Sequence, residues 1–168
     1  MVVMSVSMRL ESYLKKEGIP YEVVRHPRSV TAMETAAAEH IPAGQVAKVV
    51  MIKAGGRDTM VVIPASTVLD WFKVEKAFGT HDVRLEREVE FREIFNDCEA
   101  GAMPPMGKLY GVPCFVDYGI LASGFVTFNA GTHQDSIRIS VEDYLKLTGA
   151  KVADLSVPIH GKISCATL

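Results

Sequence analysis

The chain has 168 residues, of which 48% are hydrophobic and 23% charged, and a formal net charge of −2. That size and balance fit one domain with a buried core and exclude a disordered chain. No apolar run approaches the roughly 20 residues of a membrane span, and the charge lacks the strongly basic footprint of a general nucleic-acid binder.

The opening "MVVMSVSMRL" has no basic n-region and no long apolar core, so it does not read as a signal peptide; Met1, Met4 and Met8 are each potential starts. "SMRLESYLKKEG" predicts a helix with Ser7 as N-cap and Leu10, Tyr13 and Leu14 on one face, stopped by Gly18 and Pro20. "YEVVRH" reads as a short strand. "TAMETAAAEH" opens with Thr31 and Glu34 at capping-box spacing and predicts a helix. The β-branched runs "AKVVMIKA" and "TMVVIPA" flank "GGRD" and predict a hairpin; because both are nearly all apolar, its strands belong in a sheet interior. "STVLDWFKVEKAFG" predicts a helix capped by Ser66 or Thr67 and ended by Gly79. "DVRLE" follows as a strand, then "REVEFREIF" as a helix with Val89 and Phe95 inward.

After the loop "DCEAGAMPPMG", "VPCFVD" is a strand and "YGILAS" a turn or helical stub. "GFVTFNAG" and "SIRIS" form a second hairpin through "AGTHQD", and "SVEDYLKLTG" closes as a helix with Ser140 and Asp143 at capping spacing. Hairpins mixed with helices indicate an α+β sheet or partial barrel rather than a doubly wound fold. There is no internal repeat or linker, so residues 1–168 read as one domain. Its core runs from about 8 to 158, and the tail 159–168 is loosely patterned. Cys98, Cys114 and Cys165 are odd in number and form no CxxC pair, which favours a reducing cytoplasm over a disulfide framework or zinc knuckle.

The chain has no GxSxG, GxxxxGK[ST], HExxH or GxGxxG motif, and its five histidines have no metal spacing. No metal or cofactor is therefore expected. Lys48 stands at the start of an apolar strand, where desolvating its charge is costly unless it meets an anion or reaches water. It either snorkels to solvent or aims a cation into a pocket; Lys53, beside the hairpin turn, is expected to be solvated. In "GAMPPMG" the prolines fix φ and lack N–H groups, while the amides of Gly101, Ala102 and Met103 could line an anion or oxyanion nest; otherwise the loop is a tight helix-to-strand connection. His133, in a turn, is either an exposed polar residue or a group that donates a hydrogen bond or positions water. Asp97 and Glu99 flank Cys98 as solvated or capping charges, and Cys98 has no base placed for it.

A lysine early in an apolar strand, a later glycine–proline loop, then "VPCFVD", then "FVTFNAGTHQDSIRIS" make an ordered set. From about Met8 to about Leu155 the chain resembles the YbaK family, which includes the editing domain of bacterial prolyl-tRNA synthetases. The resemblance implies a mixed, strongly curved sheet (a partial barrel) surrounded by helices. It also implies hydrolysis of mischarged aminoacyl-tRNA carrying a small residue such as Ala, Cys, Ser or Thr. Lys48 matches the lysine that holds the terminal adenosine's phosphate region. Gly101 to Pro105 matches the GxxxP loop that shapes the amino-acid pocket, through Gly101, Ala102, Met103, Pro104 and Pro105. His133, after the "AG" that contains Gly131, matches the family's histidine. Lys48, Gly101 and His133 are thus the candidate catalytic residues, and Ala102, Met103, Pro104, Pro105 and Gly131 the candidate substrate-binding ones. Val49 departs from the polar residue that several family deacylases carry after the lysine. The implied partner is the acceptor end of a mischarged tRNA, with an aminoacyl-tRNA synthetase as a further candidate. The alternative is a non-catalytic module of the same fold that binds a small ligand or nucleotide.

Overall fold

A computed structural model describes residues 6–159. The expectations for alternative starts at Met1 and Met4, for Cys165, and for the tail beyond Ile159 lie outside the described residues. Helix α1 (Met8–Lys16) starts where Ser7 Oγ accepts the Leu10 N–H, and it buries Leu10 and Leu14. Strand β1 (Glu22–Arg25) follows, then α2 (Ala32–Glu39), capped by Thr31 Oγ1 accepting the Glu34 N–H. The Glu34 carboxylate reaches the Val30 amide, so the capping box closes one residue earlier than its spacing suggests.

Strands β2 (Ala47–Ala54) and β3 (Arg57–Pro64) form the expected hairpin. Gly55 and Gly56 both adopt positive φ, the pair of conformations that a two-residue turn of this hand requires. Both strands are interior: β5 (Val83–Leu85) pairs antiparallel with β2, β6 (Cys114–Asp117) pairs parallel with β3, and β9 (Lys151–Ala153) pairs parallel with β6. The result is a mixed five-stranded sheet ordered β5-β2-β3-β6-β9. A second, antiparallel sheet, ordered β1-β8-β7, uses β7 (Phe125–Asn129) and β8 (Asp135–Ser140). A third pairs β4 (Thr67–Leu69) with β10 (Ser156–Pro158). The fold is therefore mixed α+β, and none of the three sheets closes on itself. A parallel bridge between Val46 and Thr127 joins the first two sheets just before Lys48.

The apolar runs of β2 and β3 are explained by burial on both faces. Met51, Met60 and Val62 join the main core with Phe128, Ile137, Leu10 and Leu14. Tyr144 and Leu147 of α5 (Val141–Thr148) complete that core. Ile52, Val61 and Ile63 face the other way, onto Leu155 and Val74 of α3 (Trp71–Phe78). Val46, Ala32, Ala36 and Ala65 form a small third cluster under α2.

Three sequence expectations are corrected. Helix α3 begins at Trp71 with Asp70 as its cap, because Thr67–Leu69 is drawn into pairing with β10 and Asp70 Oδ1 takes the Lys73 amide. The helix expected from "REVEFREIF" is one turn, α4 (Glu88–Phe91). There Glu90 accepts the Arg87 amide and pairs with both guanidinium nitrogens of Arg84, an orientation that turns Phe91 and Phe95 inward. Val89 is consequently 58% exposed. Lys53 is not freely solvated either: it pairs across the hairpin with Asp58 and lies 3.8 Å from Glu86.

Candidate functional site

The loop after α4 is tied to the β7–β8 turn along its length. The Glu99 amide donates to the Gly131 carbonyl at 2.8 Å, and the Gly131 amide donates back to the Ala102 carbonyl at 3.0 Å. His133 Nε2 lies 2.6 Å from the Ala100 carbonyl oxygen. A side chain on Gly101 would stand 3.6 Å from His133 Cε1, so the imidazole rests against the glycine. Gly101, Ala102, Gly131 and His133 thus form one assembly although 30 residues separate the two loops.

Backbone conformation accounts for the glycines. Gly101 has φ +80° and Gly131 has φ +101°, values that L side chains rarely adopt. Gly131 is also crowded: a Cβ there would sit 3.1 Å from Ser7 Cβ and 3.3 Å from Ser7 N. The Ser7 amide donates to the Ala130 carbonyl at 2.8 Å, which places the start of α1 against the turn.

The loop departs from the picture of an exposed donor-rich rim. Ala102, Met103, Pro104 and Pro105 are all buried, and Gly101 alone among these five is exposed. The Pro105 carbonyl accepts from Tyr144 O–H at 2.8 Å. The Ala102 amide is spent on the Glu99 carbonyl at 3.0 Å. The expected nest of three donors therefore reduces to two, the amides of Gly101 and Met103, which find no acceptor among the described residues. Behind the loop, Met103 and Ala100 line a cavity of about 200 Å³ together with Phe91, Phe95 and Cys98. Lys48 and His133 do not line it.

The "DCE" segment, opaque in the sequence, is a brace. Asp97 accepts hydrogen bonds from Ser7 O–H at 2.7 Å and Tyr110 O–H at 3.1 Å. Burial alone would raise its carboxyl. The hydrogen bonds from Ser7, Cys98 and Tyr110, with Arg9 nearby, instead hold it below the ordinary carboxylate range. Glu99 pairs with Arg28 at 2.9 Å. Burial, foremost, and the adjacent Asp97 push the Cys98 thiol up to about 12. Such a raised thiol disfavours the thiolate, the nucleophilic form, at neutral pH.

Lys48 sits in β2 opposite Ile63, half-buried. Burial lowers its pKa, and burial is the one cause acting on it: no carboxylate or hydrogen-bond acceptor among the described residues compensates. The bridge of Val46 to Thr127 sets its strand beside β7, whose end leads directly into the turn that carries Gly131 and His133.

Sequence reasoning passed over a buried polar group on the same side of β7 and β8. Ser136, fully buried, donates to Glu39 Oε2, and His26 Nε2 lies 3.1 Å from Ser136 Oγ. The His26 and Ser29 amides donate to the Gln134 and His133 carbonyls at 2.9 and 3.0 Å and so hold the turn. Ser136 lies 97 positions from Glu39 and 110 from His26, and no local pattern marks them.

Comparisons with known proteins agree with this geometry. A family described as the aminoacyl-tRNA editing domain matches residues 26–147. A proline–tRNA ligase of Thiobacillus denitrificans (strain ATCC 25259 / T1) is 33% identical over 93 residues, which is 54% of this chain and 16% of that longer protein. A crystal structure of a candidate trans-editing enzyme for prolyl tRNA synthetase superposes with a TM-score of 0.80 at 27% identity, covering 93% of this chain and 99% of that one. Hypothetical protein APE2540 superposes with a TM-score of 0.79 at 24% identity over 89% of this chain and 99% of its own, a likeness of fold. The match over residues 26–147 spans Lys48, the Gly101–Pro105 loop and the His133 turn together, and the chain belongs to the aminoacyl-tRNA editing domain family.

Proposed function

We propose that this chain is a trans-editing deacylase, hydrolysing the ester of a mischarged aminoacyl-tRNA that carries a small residue such as Ala, Cys, Ser or Thr, with residues 8–158 acting as one editing unit. The observation that carries the reading is Lys48, a half-buried cation with no counter-ion among the described residues, on the strand bridged to β7, which leads into the turn that holds His133. A protein retains such a charge against its desolvation cost when an anionic ligand supplies the missing partner. The phosphate of the terminal adenosine is that partner.

An aminoacyl ester is already activated, so the site needs to position water and stabilise the developing oxyanion rather than supply a strong nucleophile. Water adds to the ester carbonyl, and the tetrahedral intermediate collapses with release of the ribose oxygen and the free amino acid. In this reading the amides of Gly101 and Met103 face the oxyanion. His133 holds the Gly101 turn in place through the Ala100 carbonyl. The vicinal ribose hydroxyl of the substrate can orient the water. The buried Ala102–Pro105 segment acts as a rigid wall that excludes large side chains. Steric exclusion discriminates more strongly than a missing methylene, which is worth about 1–3 kcal/mol.

The test is a panel of alanyl-, seryl-, threonyl- and cysteinyl-tRNA incubated with purified protein, followed by ester loss. Hydrolysis of at least one member, far faster than the correctly matched prolyl-tRNA, is expected. No hydrolysis across the panel, with saturable binding of free adenosine nucleotide, would favour a binding module.

A further inference from the structure

We infer that Asn129 is a substrate-contacting residue whose side-chain oxygen receives a hydrogen bond from the α-amino group of the aminoacyl ester. The inference rests on the deacylase reading and adds a group that recognises the amino acid itself.

Asn129 ends β7 and is 9% exposed, and its Oδ1 is buried with no hydrogen-bond partner among the described residues. An unsatisfied buried acceptor costs about 1–3 kcal/mol and is uncommon in folded proteins, so it calls for an explanation. Register supplies one. Val46 and Thr127 form a parallel bridge. Lys48 and Asn129 each lie two residues further along in the same direction, so by the alternation of strands both return to the bridged face. On the other flank Asn129 pairs with Ser136, whose hydroxyl donates to the buried carboxylate of Glu39. Asn129 therefore shares a face with Lys48 and pairs in register with Ser136. Its oxygen, like the Lys48 ammonium, has no partner among the described residues.

A second orphaned atom lies four residues on. His133 Nε2 faces a carbonyl oxygen, which only accepts, so a ring proton resides there; in the neutral form of such a ring Nδ1 is an acceptor. Nδ1 is buried with no hydrogen-bond partner among the described residues. The unmatched groups thus divide by type. Lys48 and the amides of Gly101 and Met103 donate, and they suit the phosphate and carbonyl oxygens of the substrate. Asn129 Oδ1 and His133 Nδ1 accept, and they require a substrate donor. Whatever amino acid it carries, the reacting end of an aminoacyl-tRNA has two kinds of donor, the α-amino group and the ribose 2′-hydroxyl. The amino group carries more than one N–H in either protonation state and can serve two acceptors, whereas the hydroxyl serves one.

The experiment compares hydrolysis of the aminoacyl-tRNA that the wild-type chain turns over fastest with its α-hydroxy analogue, which replaces the amino group by a hydroxyl of similar size. Wild-type protein is expected to favour the amino ester by about 10- to 100-fold, the span of a hydrogen bond to a charged group. In Asn129→Leu, which removes both polar atoms at nearly constant volume, that ratio should fall close to one, with most of the loss in the amino ester. A ratio unchanged in Asn129→Leu, or a wild-type protein indifferent to the replacement, overturns the inference while leaving the deacylase reading intact. No hydrolysis of any aminoacyl-tRNA by wild-type protein defeats the deacylase reading, and this inference with it. Substrates ending in 2′-deoxyadenosine provide the control: if Asn129→Leu removes discrimination at the ribose instead of at the amino group, the oxygen serves the hydroxyl and the inference fails. Thermal unfolding is an independent readout. Removing an orphaned acceptor should leave the midpoint unchanged or raise it, whereas a fall of many degrees would mark Asn129 as a structural hydrogen-bonding residue and overturn the assignment.

Discussion

His133 Nε2 stands 2.6 Å from the carbonyl oxygen of Ala100, and this bond, rather than any contact with an acid, orients the imidazole over Gly101. The histidine therefore acts first on the shape of the loop. His133→Ala should slow deacylation about tenfold through a loosened turn. It should also cost about 1–3 kcal/mol of stability from the lost hydrogen bond and the cavity. Single-turnover hydrolysis beside a denaturant melt checks both parts; a loss of activity equal to that of a Lys48 variant would promote His133 to the central group.

Lys48 should trade stability for function. Burial lowers its pKa, so the folded chain binds fewer protons than the unfolded chain between the lowered value and 10.5. Stability then rises with pH through that window, and at neutral pH the charged ammonium opposes folding. Lys48→Met should raise the thermal midpoint at pH 7 while abolishing hydrolysis. A lower midpoint would mean that the ammonium has a structural partner.

The two glycines should differ in tolerance. At Gly101 an added methyl meets the imidazole at an ordinary 3.6 Å, so Gly101→Ala bears mainly the cost of positive φ, about 1–2 kcal/mol. At Gly131 the same methyl also meets the Ser7 Cβ and backbone at 3.1 and 3.3 Å. Gly131→Ala should be the more destabilising of the pair in urea titrations; the reverse order would contradict the packing of α1 against the turn.

Legibility followed the range of the interactions. The caps at Ser7, Thr31 and Ser140, the Gly55–Gly56 turn and the second hairpin depend on neighbours within a few residues, and the sequence was enough to find them. The start of α3 was misread because pairing with β10, almost 90 residues on, claims Thr67–Leu69. The lysine, the loop and the histidine could be ordered along the chain, but the commitment of the Ala102 amide and the burial of the prolines could not. Both follow from contacts with Glu99 and Tyr144. Asp97 carries no local signal, because Ser7, 90 positions away, and Tyr110 account for its place.

Away from the site, Glu86 should make stability depend on pH. Burial, then the closeness and repulsion of the Asp58 carboxylate, push its carboxyl up to about 7 from 4.5. A raised carboxyl stabilises the fold fully below about 4.5, and that contribution is lost as pH rises through about 7. The unfolding midpoint should therefore fall between pH 5 and pH 8. Glu86→Gln, neutral throughout, should flatten that fall; an unchanged slope in the variant would place the titration elsewhere.

The most direct measurement is the rate at which wild-type protein and Lys48→Ala release the amino acid from a small mischarged aminoacyl-tRNA, with the fold of both confirmed by thermal unfolding. The account predicts hydrolysis by the wild-type chain and a loss of at least about 100-fold in a folded Lys48→Ala, the scale of removing a charge-assisted contact. Equal turnover by the two proteins would contradict it.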